Sequence, residues 1–363
     1  MLYFMRIAIL NLQYDNNYGG NLQRYALITV LQRMGHNVTH LNLRFNYDHL
    51  CWYEKLWRYI KRLRRKVFID RTLRIFPLEN DRQKYYEDSC IEVDKFYNKY
   101  ITHTKALYSK KQLAKQKDFD VYIVGSDQVW RIDYCKMYGL PTFFFDFLPP
   151  NKKRVAYGVS FGTDDCNLGY NDIKQLTPLY NKFHAVSVRE SSALNILNHY
   201  KWNKPQATQV LDPTLLLHKK DYIKLIEEGD TLPSPGQIFC YILDPSDEKT
   251  EIIEKISQEK KLIVFSATLN NKNHLSIQQW LRFFYDAEFV ITDSYHGLLF
   301  SVIFNKPFKI LINKKRGSAR FESIIKMLKI PLDKEIKDWT VINNQIRHWQ
   351  QLSTIFLANS LNI

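Results

Sequence analysis

Short apolar runs alternate with stretches of helical spacing along almost the whole chain, and this restricts the fold more than any other feature of the sequence. Residues 6–11 read as a strand, 20–34 as a helix and 37–43 as a second strand, a strand-helix-strand opening. Further strands are expected at 121–124, 154–159, 185–188 and 209–211. A second series follows Asp230-Thr231-Leu232-Pro233-Ser234-Pro235-Gly236, whose Pro, Gly and Ser content marks it as a linker. Its strands are expected at 237–243, 261–265, 289–291 and 308–312, with helices at 249–259 and 276–286. The expectation is an α/β chain of two Rossmann-like domains with mainly parallel sheets. The first spans residues 1–230 and carries a helical insertion at about 47–108; the second spans 231–363 and ends in a helical segment. At 363 residues the chain is longer than one core usually fills, which agrees with two domains.

Apolar residues at 45% and charged residues at 25% describe a soluble globular chain. No uninterrupted apolar run approaches the ~20 residues that a membrane span needs. Residues 1–10 flow into a polar loop without a small-residue cleavage site and are expected to form a core strand, not a secretion signal. Five scattered cysteines, Cys51, Cys90, Cys135, Cys166 and Cys240, support neither a disulfide framework nor a metal site, so a cytoplasmic location is expected.

The net charge of +15 calls for an acidic partner. Over residues 52–68, Trp52, Leu56, Ile60, Leu63 and Val67 recur at helical spacing, while Lys55, Arg58, Lys61, Arg62, Arg64, Arg65 and Lys66 fill most of the remainder. A basic, tryptophan-bearing amphipathic helix suits an anionic membrane surface and a peripheral place at its inner face. The alternative is a surface helix whose stripe packs on its own domain. Nucleic acid is not an expected partner, because no recognised binding motif accompanies the charge.

In sheets of this kind ligands sit beyond the carboxyl ends of the strands, and four polar clusters fall there. In Val290-Ile291-Thr292-Asp293-Ser294-Tyr295-His296-Gly297 a short apolar run breaks into titratable residues just before another apolar run, 298–304. That is a strand emptying into a helix, whose unpaired N–H groups suit a phosphate or carboxylate and whose histidine can bind the anion or move a proton. Asp293 or Ser294 could instead serve only as a helix cap. After the opening strand, the segment 13–23 holds Asn17, Gly19, Gly20 and Gln23, with glycines that let backbone approach an anion or simply make a tight turn. Gly125-Ser126-Asp127-Gln128 follows an apolar strand, and Asp127 there could orient a hydroxyl or cap a turn. In Ser187-Val188-Arg189-Glu190 the arginine is positioned for a carboxylate or phosphate, against the plainer reading of an Arg189–Glu190 surface pair.

Taken in order, these clusters resemble the polysaccharide pyruvyl transferase family. The resemblance runs from Tyr18-Gly19-Gly20-Asn21-Leu22-Gln23 through Gly125-Ser126-Asp127-Gln128-Val129-Trp130, Gly158-Val159-Ser160-Phe161-Gly162, Ser187-Val188-Arg189-Glu190 and Val210-Leu211-Asp212-Pro213-Thr214. It continues to Asp293-Ser294-Tyr295-His296-Gly297 and Asn305-Lys306-Pro307-Phe308. It implies transfer of a pyruvyl group from phosphoenolpyruvate to two hydroxyls of a sugar, lipid-linked or nucleotide-linked, as a cyclic ketal, in a GT-B-like fold with the active cleft between the domains. No metal or organic cofactor is implied; phosphoenolpyruvate is the donor substrate.

The resemblance also puts Arg189 and His296 on the donor. His296 is then assigned to the phosphate side and as acid, and Asp127 to the acceptor hydroxyl. Ser294 and Tyr295 are expected at the donor, and Asn17, Gly19, Gly20, Gln23, Ser126 and Ser160 at the substrate. Some members of the family carry an arginine two residues before the histidine, where this chain has Ser294. The expected substitutes are Lys315, Arg316 and Arg320. Two other readings remain: a GT-B glycosyltransferase using a nucleotide sugar, with Asp293 on the ribose, and a non-catalytic protein that binds anions or lipid headgroups.

Overall fold

A parallel sheet covered on both faces needs strands that are apolar on both sides, and Val121–Gly125 is buried along its whole length. The computed structural model describes residues 4–45, 52–68, 79–166, 168–267, 275–312, 318–332 and 335–362. Its first sheet has six strands: β1 (Arg6–Leu10), β2 (Asn37–His40), β3 (Val121–Gly125), β4 (Lys153–Val159), β5 (Ala185–Val188) and β6 (Ala207–Gln209). Their order is β2-β1-β3-β4-β5-β6. The second sheet has four strands, β7 (Ile238–Tyr241), β8 (Val264–Ser266), β9 (Phe289–Thr292) and β10 (Phe308–Ile310), in the order β10-β9-β7-β8. Every pairing between these strands is parallel. The expected α/β class, with two parallel sheets, is the one found.

Helices α1 (Tyr18–Arg33), α2 (Trp52–Phe68), α3 (Glu79–Tyr100), α4 (Lys110–Leu113), α5 (Tyr170–Tyr180) and α6 (Ser191–His199) belong to the first series. After α7 (Lys219–Glu227) come α8 (Asp247–Lys260), α9 (Ile277–Asp286), α10 (Tyr295–Phe304), α11 (Ala319–Leu328) and α12 (Thr340–Leu361). Among the described residues no helix is long and apolar enough to cross a membrane.

The expected strands differ from the observed ones mainly at sheet edges. β6 was expected at 209–211 but pairs through Ala207, Thr208 and Gln209. The apolar signal of Val210 and Leu211 belongs to side chains that turn into the core just past the pairing, whereas the edge strand itself is polar. Residues 41–43, expected to extend β2, leave the strand; Leu43 makes only an isolated bridge to Leu107 in the segment after α3.

In both sheets the order reverses around a central strand. The chain places β2 on one side of β1 and β3 on the other; it places β8 on one side of β7 and β9 on the other. A crevice opens beyond the carboxyl ends at each such switch point. One buried cluster joins the sheets, including Ile9 and Leu22 from the first and Phe239, Val290 and Leu299 from the second. Across this junction Tyr18 stacks on Trp280 with centroids 5.5 Å apart and donates through its hydroxyl to Leu275 O at 3.1 Å. Helix α12 returns to the first sheet, where Leu211 N donates to Ser353 Oγ at 2.9 Å and Lys153 Nζ donates to Asn362 O at 2.8 Å.

Candidate active site

The two switch points open into one cleft of about 360 Å³. The first sheet contributes Gln13, Asp15, Asn17, Gly19 and Gly20 after β1, and Asp127 and Gln128 after β3. The second contributes Tyr241 and Leu243 at the end of β7, Asp293, Ser294, Tyr295 and His296 after β9, and Arg320 from the first turn of α11. The N-termini of α1 and α10 both open on it, with their partial positive charge.

Local chemistry fixes the start of α10. Ser294 is its N-cap, accepting from Gly297 N, while Ser294 N donates to Thr292 Oγ1 at 3.0 Å. Gly297 is required there, since a Cβ would lie 2.1 Å from Thr292 Oγ1. Asp293 accepts from Leu243 N at 2.7 Å, Asp244 N at 3.0 Å and Lys249 Nζ at 2.6 Å. Its carboxylate pins the loop after β7 through these three bonds.

His296 lies on the first turn of α10 with its imidazole against Gly19 of α1. A Cβ on Gly19 would fall 2.1 Å from His296 Nδ1, so only glycine lets the ring reach across the cleft. The Nε2 atom has no hydrogen-bond partner among the described residues and lies 3.9 Å from Asp212 Oδ2. Burial pushes the imidazole pKa down to about 4, against the opposing pull of the Asp212 and Asp127 carboxylates. At neutral pH the ring is therefore uncharged.

Arg189, one residue past β5, is buried rather than paired on the surface. Its Nη1 donates to Asp212 Oδ2 at 2.9 Å, and its other nitrogens stand 3.8 Å from Asp127 Oδ1 and from Glu190 Oε2. Burial works against the guanidinium charge, but Tyr295, Asp212 and Glu190 outweigh it and raise its pKa. Asp212 is likewise desolvated, yet Arg189 and the amide of Thr214 hold its carboxyl below the usual range. Its oxygens also accept from Gln23 Nε2 at 2.5 Å and from Thr214 Oγ1 at 2.8 Å. The guanidinium carbons of Arg189 and Arg320 lie over the Tyr295 ring, 4.7 and 5.4 Å from its centroid. Burial and the neighbouring Arg189 charge lower the pKa of Arg320, against the opposing pull of Asp127 and Glu190.

The sequence-predicted residues thus fall into two groups. Asn17, Gly19, Gly20, Asp127, Ser294, Tyr295, His296 and Arg320 line the cleft. Arg189, Gln23, Ser126 and Ser160 are buried and absent from its lining. Gln23 joins Ser126 Oγ, at 3.1 Å, to Asp212, and Ser160 Oγ accepts from Gly162 N at 3.0 Å. Ser126 and Asp127 both hold left-handed backbone, φ +34° and +66°, a strain that the surrounding bonds sustain and that aims Asp127 at Arg189. Lys315 and Arg316 lie outside the described residues. Sequence reasoning gave Asp212 no role, although an acid just after an apolar strand-end run was the available signal; Asp15 and Tyr134, also on the lining, were likewise passed over. Among the described residues no three His, Cys, Asp or Glu side chains gather in a way that could hold a metal ion.

Comparison with known proteins gives the following. The UDP-GlcNAc 2-epimerase from Methanocaldococcus jannaschii is 12% identical, with a TM-score of 0.44 over 94% of this chain and 98% of that one. The UDP-N-acetylglucosamine 2-epimerase from Rickettsia bellii is 8% identical, with a TM-score of 0.44 over 98% of each chain. An alpha-glucosyltransferase in complex with UDP is 10% identical, with a TM-score of 0.40 over 96% of this chain and 95% of that one. No protein of curated function matches the sequence. The family model for polysaccharide pyruvyl transferases matches residues 17–314, from the Asn17 cap of α1 past the last strand of the second sheet, and so takes in most of both cleft walls. The chain belongs to the polysaccharide pyruvyl transferase family.

Proposed function

We propose that the cleft transfers the pyruvyl group of phosphoenolpyruvate to two hydroxyls of one sugar in a surface polysaccharide or its lipid-linked or nucleotide-linked precursor, giving a cyclic ketal and phosphate. The observation that carries this reading is the meeting of Arg189, Asp212, Tyr295, His296 and Arg320, drawn from both sheets, beside the N-termini of α1 and α10. Phosphoenolpyruvate carries a phosphate and a carboxylate close together. Two helix N-termini and the Arg320 guanidinium on the lining suit such a pair of anions. On this reading Arg320 and His296 meet the donor, while Arg189 acts from behind the wall, holding Asp127 and Asp212 and adding its charge through Tyr295.

The chemistry follows from the protonation states. Free His296 is neutral; an incoming anion raises its pKa, so it enters the complex as an imidazolium and an acid. The first sugar hydroxyl attacks C2 and gives its proton to Asp127, while the electron pair of the C2=C3 bond takes a proton from His296 and makes the methyl group. Phosphate then leaves with the C2–O bonding pair, stabilised by Arg320 and the helix termini. The second hydroxyl closes the ring at C2 and returns a proton to His296; the proton on Asp127 departs with phosphate. No metal or organic cofactor enters these steps.

Incubating the protein with phosphoenolpyruvate and lipid-linked or nucleotide-linked sugars tests the reading directly. The expected product has gained pyruvate less one water, with one phosphate released per transfer. A sugar-sized mass gain from nucleotide sugars instead would establish the glycosyltransferase reading and defeat this one.

A further inference from the structure

We infer that α2 is a docking helix for an anionic lipid bilayer, carried on a segment of chain that leaves and rejoins the rim of the cleft. In this helix Trp52, Leu56, Ile60, Leu63 and Val67 share one stripe, and cations occupy the remaining faces from Lys55 to Lys66 with no acidic residue among them. A stripe that packed on its own domain would be buried. Here Leu56 is 50%, Leu63 50% and Val67 58% exposed, with Ile60 half-buried between them, and Lys61, Arg64 and Arg65 are exposed on the opposite side. An apolar stripe flanked by cations matches the two layers of an anionic membrane surface, acyl chains within and phosphate outside. An acidic protein groove would match the charge, but it would not call for cations on all sides of the stripe.

The attachment of α2 says which part of the enzyme such docking would present. The chain leaves β2 through Leu43 and Arg44, where Tyr14 N donates to Leu43 O at 2.7 Å, and after α2 it continues into α3, whose Tyr86 hydroxyl donates to Tyr14 O at 2.7 Å. Tyr14 directly precedes Asp15 on the cleft wall. Both ends of the segment carrying α2 are thus anchored at the carboxyl-end rim of the first sheet. A bilayer holding α2 would hold that rim near its surface, where a lipid-linked sugar ends.

Vesicle flotation of the full chain, with neither donor nor acceptor present, tests docking independently of the ketal chemistry. Vesicles of phosphatidylcholine and phosphatidylglycerol in equal parts should bind the protein, phosphatidylcholine alone should not, and high salt should release it. Each cation contributes on the order of 1 kcal/mol at such a surface, so the triple variant Lys61→Gln, Arg64→Gln, Arg65→Gln should bind roughly a hundredfold more weakly. Leu56→Ser with Leu63→Ser should also abolish binding, and both variants should keep pyruvyl transfer to a soluble acceptor. Absence of binding to anionic vesicles, equal binding to neutral ones, or a triple variant that binds as well as the parent would overturn the inference. So would a self-association that the Leu56→Ser, Leu63→Ser variant abolishes while vesicles bind nothing, since that would give the stripe to a second copy of the chain.

Discussion

The two walls of the cleft are built from the same kind of strand-end loop and use their polar groups in opposite ways. On the first-sheet side Asp212 accepts from Arg189, Gln23 and both polar groups of Thr214, and Arg189 in turn stands near Asp127 and Glu190. That network is charged and centred on Asp212, although Arg189 Nε and Nη2, Glu190 Oε2 and Gln23 Oε1 have no hydrogen bond among the described residues. On the second-sheet side His296 is buried and neutral, and its Nε2 lacks a hydrogen bond among the described residues. Asp212 and Arg189 therefore act as an ion pair that fixes geometry behind the first wall, whereas His296 stands on the cleft lining as a neutral group able to take a proton or meet an anion.

The largest expected effect breaks the second wall alone. His296→Ala should lower pyruvyl transfer on the order of a thousandfold, within the range for a lost acid or base, while the protein stays folded. Phosphate release measured beside circular dichroism checks both halves. Turnover at the parent rate would take His296 out of the chemistry. Gly19→Ala should give a milder version, because the added methyl displaces the ring without removing it.

Breaking the first wall should cost stability before anything else. Arg189→Met leaves the Asp212 carboxylate buried without its cation, a loss of about 3–5 kcal/mol. Adding Asp212→Asn should recover part of that loss, because the second change removes the stranded charge. Denaturant titrations of both variants decide this. A single variant as stable as the parent would mean that the pair is not structural.

These two walls were not equally legible in the sequence. Asp127, Arg189 and His296 were readable because each follows an apolar run that breaks abruptly, and the local pattern alone marks a strand end. The role of Asp212 depends on β5, β6 and α1 arriving together, so no local window contains it. The same holds for Gly19, whose reason is the ring of His296, in the other sheet's half of the chain. Ser126 and Ser160 show the converse failure: a serine in a strand-end loop reads the same whether it faces the cleft or supports the loop from behind. Helical spacing revealed α2 with both its ends, but whether its stripe would be covered was a question of tertiary packing.

The smallest expected effect sharpens the comparison through pH. The folded His296 pKa of about 4 lies below its ordinary value of 6.5, so the fold favours the neutral ring. Below about pH 6.5 the unfolded chain takes up a proton that the folded chain refuses, and stability falls until the pH reaches about 4. The cost over that window is at most roughly 3 kcal/mol, and nothing further is lost from this group below it. Asp212 behaves differently, because its depressed pKa keeps its contribution intact until the pH falls into the ordinary carboxylate range, where the unfolded chain begins to protonate, and the loss continues below it. His36, His40 and His184 are also lowered by burial and would blur a single pH curve. Comparing the parent with His296→Gln cancels them. The parent should lose more stability than the variant between pH 7.5 and pH 4.5, and added phosphate at pH 6 should reduce the parent's disadvantage by favouring the charged ring. Equal losses in the two proteins would mean that His296 titrates as an ordinary histidine, and the contrast between the charged Asp212–Arg189 pair and a neutral His296 would disappear.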